Sequence, residues 1–238
     1  MIPALLWRCP LCTTHDALAH RHTFLRPEVV CCTSCGAHWR VRRVPGDDFY
    51  LRLDKPSASH PMPAGREEPL VFWYDRMKSG LRLKVLEHPQ ISLNPGEELY
   101  LVSRIVELWL AARDPLVSGP FTQVVQGKTP LKDVGGEEGN YRSTLAGEDL
   151  VVLVGQGKVF LTSQRLVWQS ETLSQDFPLT HIQGAYAVLT LGLAIASGMS
   201  LVFFRFLQES PLKWVSHFGL AAAKVQAETG RRIETSHW

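Results

Sequence analysis

After Cys35 the sequence contains no cysteine, although most of its 238 residues still follow. All five thiols, Cys9, Cys12, Cys31, Cys32 and Cys35, crowd the start of the chain. An odd number confined to one end excludes an evenly stapled secreted scaffold. Charge of one sign is also missing: Lys and Arg number 25 against 23 Asp and Glu, a net +2, which excludes a polycationic nucleic-acid coat. The segment Met1–Trp7 has neither a basic n-region nor a long apolar run, so no signal peptide is expected there, and cytoplasm is the expected compartment. The sequence lacks a Gly-x-Ser-x-Gly elbow, a phosphate loop and a dinucleotide fingerprint. No histidine has an aspartate five residues on, so the His-x4-Asp pattern of lipid acyltransferases is missing too. The chain is therefore expected not to be an enzyme, and no small-molecule substrate is predicted.

What is present begins with composition. The chain is 45% hydrophobic and 20% charged, enough to bury a core and unlike a disordered tail. At ~150 residues per domain its length suits between one and two domains.

The cysteines carry the strongest pattern. Cys9-Pro10-Leu11-Cys12 and Cys32-Thr33-Ser34-Cys35-Gly36 are two CxxC turns, and each turn presents two thiolates toward one point. Four such soft ligands satisfy a tetrahedral zinc ion at ~2.3 Å. Gly36 stands where a knuckle turn needs positive φ, and Pro10 stiffens the first knuckle. Partial alternation at Leu18, His20, His22 and Phe24, and again at His38–Val44, reads as strands. Residues 5 to 53 thus resemble the zinc-ribbon family, with Thr13 departing from the glycine such ribbons often carry after the first knuckle. A redox pair would need only one CxxC and a βαβ setting, whereas an iron–sulfur site would tolerate the same thiolates. Structural Zn2+ held by Cys9, Cys12, Cys32 and Cys35 is the expectation, in a closed site that holds together a segment too small to fold on its own core. His15, His20, His22 and His38 are left out of the metal set. Cys31 could replace Cys32 only by breaking the two-residue spacing.

Between Pro56 and Pro69, four prolines among small and charged residues predict a linker, followed by a short aromatic helix near Leu70–Gly80. Leu99 to Ala112 suits strands or a helix, and residues 115 to 146, with Gly135-Gly136-Glu137-Glu138-Gly139-Asn140, predict a long loop. In the last third, Leu150–Val154 and Val159–Trp168 predict two strands joined by a tight turn at Gly155-Gln156-Gly157-Lys158. Further strands are predicted over Ala185–Leu191, Leu193–Ala196 and Leu201–Leu207. The uncharged run from Ile182 to Phe204 is also long enough to cross a bilayer as a helix of ~20 residues. Gly184, Gly192, Ser197, Gly198 and Ser200 instead break it into strand-length pieces. Ser210 as N-cap, Pro211 at the first helical position and an apolar stripe of Val215, Phe218, Ala222 and Val225 predict a helix ending at Gly230.

The phrase Gly157-Lys158-Val159-Phe160-Leu161-Thr162-Ser163-Gln164-Arg165-Leu166-Val167-Trp168 resembles the signature of GRAM and related pleckstrin-homology (PH)-like domains over residues 146 to 229. That resemblance implies a bent seven-stranded sheet capped by a helix, in a family that docks to membrane lipids or protein partners. Gly96-Glu97-Glu98-Leu99 and Gly147-Glu148-Asp149-Leu150 each precede apolar runs, which suggests a divergent second copy in the middle. The expected organisation is α+β and mostly β: a ribbon over 1–55, linker and short helix over 56–92, a β-rich middle segment with a long loop over 93–145, and a PH-like domain over 146–230.

The leading expectation is a non-catalytic zinc-binding adaptor, cytoplasmic or peripherally membrane-bound, that docks a protein partner or an anionic membrane surface. Lys158, Arg165 and Lys213 are its candidate contact residues, a thin patch for anionic headgroups. The alternative is nucleic-acid binding through the ribbon, where Trp39 would stack on a base beside Arg40, Arg42 and Arg43. A further alternative is an accessory subunit of a separately encoded enzyme.

Overall fold

The computed structural model describes residues 2–23, 26–45, 48–57, 62–87, 91–111, 151–188, 192–197 and 200–237. Two sheets account for most of it, and the chain divides into compact units at Met1–Arg82 and Leu83–Trp238. The predicted loop over 115–146 and the motif Gly147–Leu150 lie outside the described residues.

The first unit is an antiparallel meander. A single turn α1 (Ile2–Leu5) precedes β1 (Leu18–Thr23), β2 (Arg26–Cys32), β3 (His38–Arg43), β4 (Phe49–Lys55) and β5 (Glu67–Pro69), paired in that order, and α2 (Leu70–Lys78) follows. Alternation in β3 explains the core: Trp39 and Val41 are buried while His38, Arg40 and Arg42 are exposed, and β4 supplies Leu51 and Leu53 to the same face. Helix α2 covers that face with Trp73 and Met77. Trp73 meets Trp39 edge-on with ring centroids 5.8 Å apart and donates its indole N–H to Leu51 O at 3.0 Å. The proline-rich stretch is thus more than a linker. Gly65 turns it back at φ 86°, and Glu67–Pro69 zip onto β4.

The second unit holds β6 (Leu99–Val102), β7 (Val106–Ala111), β8 (Val151–Thr162), β9 (Arg165–Gln169), β10 (Ser174–Pro178), β11 (Ile182–Val188), β12 (Gly192–Ser197), β13 (Ser200–Phe206), the helix α3 (Pro211–Thr229) and β14 (Glu234–His237). β6 and β7 run as one interrupted strand against both halves of the long β8, from Leu99 opposite Thr162 to Ala111 opposite Val151. Ser103 bridges the interruption: its N–H reaches Val159 O at 2.8 Å and its hydroxyl accepts Val159 N–H at 2.6 Å. The other edge of β7 pairs with β13, so the order is β10-β9-β8-β7-β13-β12-β11-β14. Counting β6 and β7 together, the seven strands before the helix form two antiparallel runs, β7–β10 and β11–β13, joined by the pairing of the first strand with the last. The expected middle segment is therefore no second copy where it is described, because Leu99–Ala111 complete this sheet. The described residues between Ile182 and Phe204 lie in β11, β12 and β13, and no helix among the described residues is long and apolar enough to cross a membrane.

Two local expectations change. Gly155–Lys158 form no turn, because β8 runs straight through them. A Cβ on Gly157 would sit 2.3 Å from Gln169 O, so the glycine permits a close approach of β9 rather than a reversal. The reversal lies at Thr162–Arg165 instead. Helix α3 begins and ends as predicted, with Pro211 first and Gly230 left-handed at φ 73°. Its stripe residues Val215, Phe218, Ala222 and Val225 are all buried, although the Ser210 side chain makes no capping bond.

Candidate metal centre

The first knuckle grows from the turn after Trp7, the second from the β2–β3 hairpin. In both, the first cysteine carbonyl accepts an N–H four residues on: Thr13 N to Cys9 O and Gly36 N to Cys32 O, each at 3.0 Å. Both fourth-position residues take the left-handed conformation, Thr13 at φ 61° and Gly36 at φ 71°. The sequence departure at Thr13 thus leaves the turn unchanged, at the steric cost of a β-branched residue in that region. Backbone N–H groups turn inward onto sulfur: Leu11 and Cys12 approach Cys9 Sγ at 3.4 and 3.5 Å, and Cys35 approaches Cys32 Sγ at 3.5 Å.

These turns bring four sulfurs together. Cys9 Sγ lies 3.8 Å from Cys35 Sγ and Cys12 Sγ 3.6 Å from Cys32 Sγ, and all four lie within 4.8 Å of one another. A tetrahedron with ~2.3 Å metal–sulfur bonds has edges of about 3.8 Å, whereas a disulfide would bring sulfurs to ~2.05 Å. All five cysteines are free thiols. The donor set therefore fits a metal ion with four protein ligands and no open position. No histidine joins it among the described residues. Cys31 stays out because strand alternation points it away from Cys32; its thiol donates to Ala19 O at 3.5 Å.

Electrostatics and the second layer follow from placement. Burial pushes the Cys9 and Cys32 thiols up. Burial acts the same way on Cys12, but hydrogen bonds from Thr14 and the neighbouring sulfurs outweigh it and hold that thiol down to about 6. Thr14 Oγ1 is 3.3 Å from Cys12 Sγ and 3.2 Å from Ser34 Oγ, linking the two knuckles. Helix α2 braces the first knuckle: Arg76 Nε donates to Pro10 O at 3.1 Å and Arg8 Nη1 to Met77 O at 3.1 Å.

The other candidate residues scatter. Trp39 is 1% exposed and sits in the core, so it offers no stacking face to a base. Arg40, Arg42 and Arg43 are exposed, and they pair with Asp54 at 2.9 Å, Glu67 at 2.6 Å and Glu28 at 3.2 Å. In the second unit Lys158 is exposed, but Arg165 and Lys213 turn inward. Lys213, 5% exposed, reaches Glu209 at 3.2 Å. Arg165 grips Glu97 with Nε at 2.9 Å and Nη2 at 3.1 Å, and its remaining nitrogen pairs with Asp176. The three cations therefore form no common patch.

Glu97 is the residue sequence reading passed over. Its side chain is fully buried, and it accepts bonds from Arg165, from Thr162 Oγ1 at 2.6 Å and from Asn94 N–H at 2.7 Å. Burial alone would raise its carboxyl; the hydrogen bonds from Arg165, the Asn94 N–H and Thr162 overcome this and hold it below its ordinary value. The available signal was Asn94-Pro95-Gly96-Glu97, a turn with Pro second and Gly third, closed by Glu97 N–H to Asn94 O at 3.0 Å. No family model matches this sequence, and no curated protein matches it.

Proposed function

We propose that the protein is a non-catalytic zinc-binding adaptor, in which a zinc-ribbon-like unit is stapled by Zn2+ and a PH-like unit docks a protein partner. The observation that carries it is the four-sulfur cluster, whose edges match tetrahedral thiolate coordination and leave no position for substrate. The close sulfur–sulfur edges fit a single ion rather than an iron–sulfur cluster, and zinc is favoured because the site serves a small unit that needs a staple. The order of strands and helix in the second unit, two antiparallel runs of four and three strands joined through the first and last and followed by a helix, supports the PH-like reading. Protein docking is preferred to lipid docking because Arg165 and Lys213 are engaged with internal carboxylates, which leaves few cations for anionic headgroups.

Metal analysis of the purified protein tests the first half. One equivalent of zinc is expected in the native chain and loss of it in each of Cys9→Ser, Cys12→Ser, Cys32→Ser and Cys35→Ser; a coloured iron-bearing protein, or paired cysteines without metal, overturns it. Pelleting with phosphatidylserine vesicles at low salt tests the second half, with no co-sedimentation expected. The nucleic-acid reading retains one supporting feature. Arg40, Arg42, Tyr50 and Arg52 share the outer face of β3 and β4, with Arg42 lying 5.0 Å above the Tyr50 ring. Salt-dependent retention on single-stranded RNA would favour it over docking to protein.

A further inference from the structure

An open groove of about 440 Å³ runs between the β8–β9 turn and the C-terminal end of α3. Among the described residues Arg165 is the one cation that lines it, against the carboxylates of Asp176 and Glu228, and Pro178 and Val225 give it apolar walls. The charge of Arg165 is already met inside the unit: Glu97 grips two of its nitrogens and Asp176 the third. Asp176, whose side chain is 44% exposed, and Glu228 therefore leave an excess of negative charge facing solvent.

Glu228 stands in the wrong place for its own helix. The last turn of α3 holds no basic residue, although the dipole favours cations there, and holds this carboxylate instead. Glu228 is exposed and makes no ion pair among the described residues. Gly230 N–H satisfies Gln226 O at 2.8 Å, while the carbonyls of Ala227, Glu228 and Thr229 have no donor further along the helix. The groove thus gathers negative charge from a strand, a helical side chain and a helix end. A local rule broken at a concave surface without compensation points to an occupant that supplies the missing positive charge.

We propose that this groove seats a lysine or arginine side chain presented by a partner protein. The aliphatic stem lies over Pro178 and Val225, and the cationic head reaches Glu228 and Asp176 beside the end of α3. An acidic peptide or an anionic lipid headgroup meets the same groove with the wrong sign. This rests on the protein-docking reading of the second unit and names the chemistry of the partner.

The test uses the full metal-loaded chain and reads amide chemical shifts on titration with capped amino acids. The probes are N-acetyl-arginine amide, N-acetyl-lysine amide, the uncharged N-acetyl-norleucine amide and N-acetyl-glutamate amide. Both cations should shift the Gln164, Asp176, Glu228 and Gly230 amides with a Kd of about 1 mM. Norleucine, which keeps the stem and lacks the charge, should bind about fivefold more weakly, and glutamate should not bind. Glu228→Gln should weaken the cations about threefold. Glu228→Lys should abolish their binding while raising the thermal midpoint of the second unit, because a cation suits that end of the helix. Equal binding of norleucine and arginine, shifts centred elsewhere, no shift at about tenfold higher concentration, or undiminished binding by Glu228→Lys overturns the proposal. If the groove takes no cation and phosphatidylserine vesicles leave the chain in solution, the proposal fails alone; vesicle binding by the native chain would remove the protein-docking reading as well.

Discussion

At the scale of single residues, two pairs of equivalent positions separate backbone from side-chain effects. Thr13 and Gly36 occupy the same place in their knuckles and both have positive φ. A left-handed backbone costs an L-residue ~1–2 kcal/mol, so Thr13→Gly should raise the unfolding free energy of the first unit and Gly36→Ala should lower it by about 1 kcal/mol. A Cβ on Gly36 meets nothing within 4 Å, so backbone conformation alone is read out by chemical denaturation of the two variants. The tryptophans Trp39 and Trp73 form a second pair, touching each other and almost fully buried. The indole N–H of Trp73 reaches Leu51 O, whereas that of Trp39 finds no partner among the described residues. Each loses similar volume on replacement by Phe, but only Trp73→Phe takes a donor away from a buried carbonyl. It should cost more than Trp39→Phe by ~1 kcal/mol in urea unfolding.

At the scale of elements, the β8–β9 turn and the turn before β6 are locked to each other through Glu97. Thr162 accepts the N–H groups of Gln164 (3.1 Å) and Arg165 (2.9 Å), donates to Glu97, and so shapes the reversal that delivers Arg165 to the same carboxylate. Removing one partner of a buried pair strands the other, so Arg165→Ala should destabilise the second unit by ~3–5 kcal/mol. Arg165→Lys should recover only part, because an ammonium cannot span both carboxylate oxygens. Because folding depresses the Glu97 pKa, its contribution is complete above the unfolded carboxyl value of ~4.3 and is lost as pH falls through the lower folded value. Hydrogen exchange of the β8–β9 amides between neutral and acid pH should show that loss, and Glu97→Gln should flatten it. The same network marks the limit of sequence reading. Thr162-x-x-Arg165 was legible as a motif, but Arg165 was assigned outward, because Glu97 lies 68 residues away and nothing local announces the pairing. Likewise Gly157 suggested a turn from its neighbours alone, whereas it serves an approach by Gln169 from the next strand. The helix α3 and the β3 core were legible because their periodicity and end signals are contained in a few consecutive residues.

At the scale of the whole molecule, the two units obtain their order from different sources. The second buries a broad core, with Trp168, Trp214, Phe160, Phe204 and Phe218 almost wholly enclosed. The first relies on a smaller set, chiefly Trp7, Trp39, Trp73, Leu51 and Leu53, and its knuckles contribute turns rather than apolar mass. The knuckle spacing was legible for that reason: each CxxC is local, and five thiols gathered at one end leave few other uses in a chain with no cysteine after Cys35. The β6–β7 partnership with β8 was not legible, because it joins segments on either side of residues 112–150. The apparent free energy of structural zinc in small metal-folded peptides, ~10–16 kcal/mol, exceeds what so small a core supplies, so binding and folding of the first unit should be one event. Stripping the metal with a chelator should erase amide protection across β1–β4 while leaving β12 and β13 unchanged, and restoring zinc should return it. Single Cys→Ser variants should reproduce the stripped pattern, whereas Cys31→Ser, whose thiol points away from the cluster, should keep both the metal and the protection. Persistence of β1–β4 protection in the stripped chain would mean that the sheet folds by packing alone and that the four sulfurs converge without holding it.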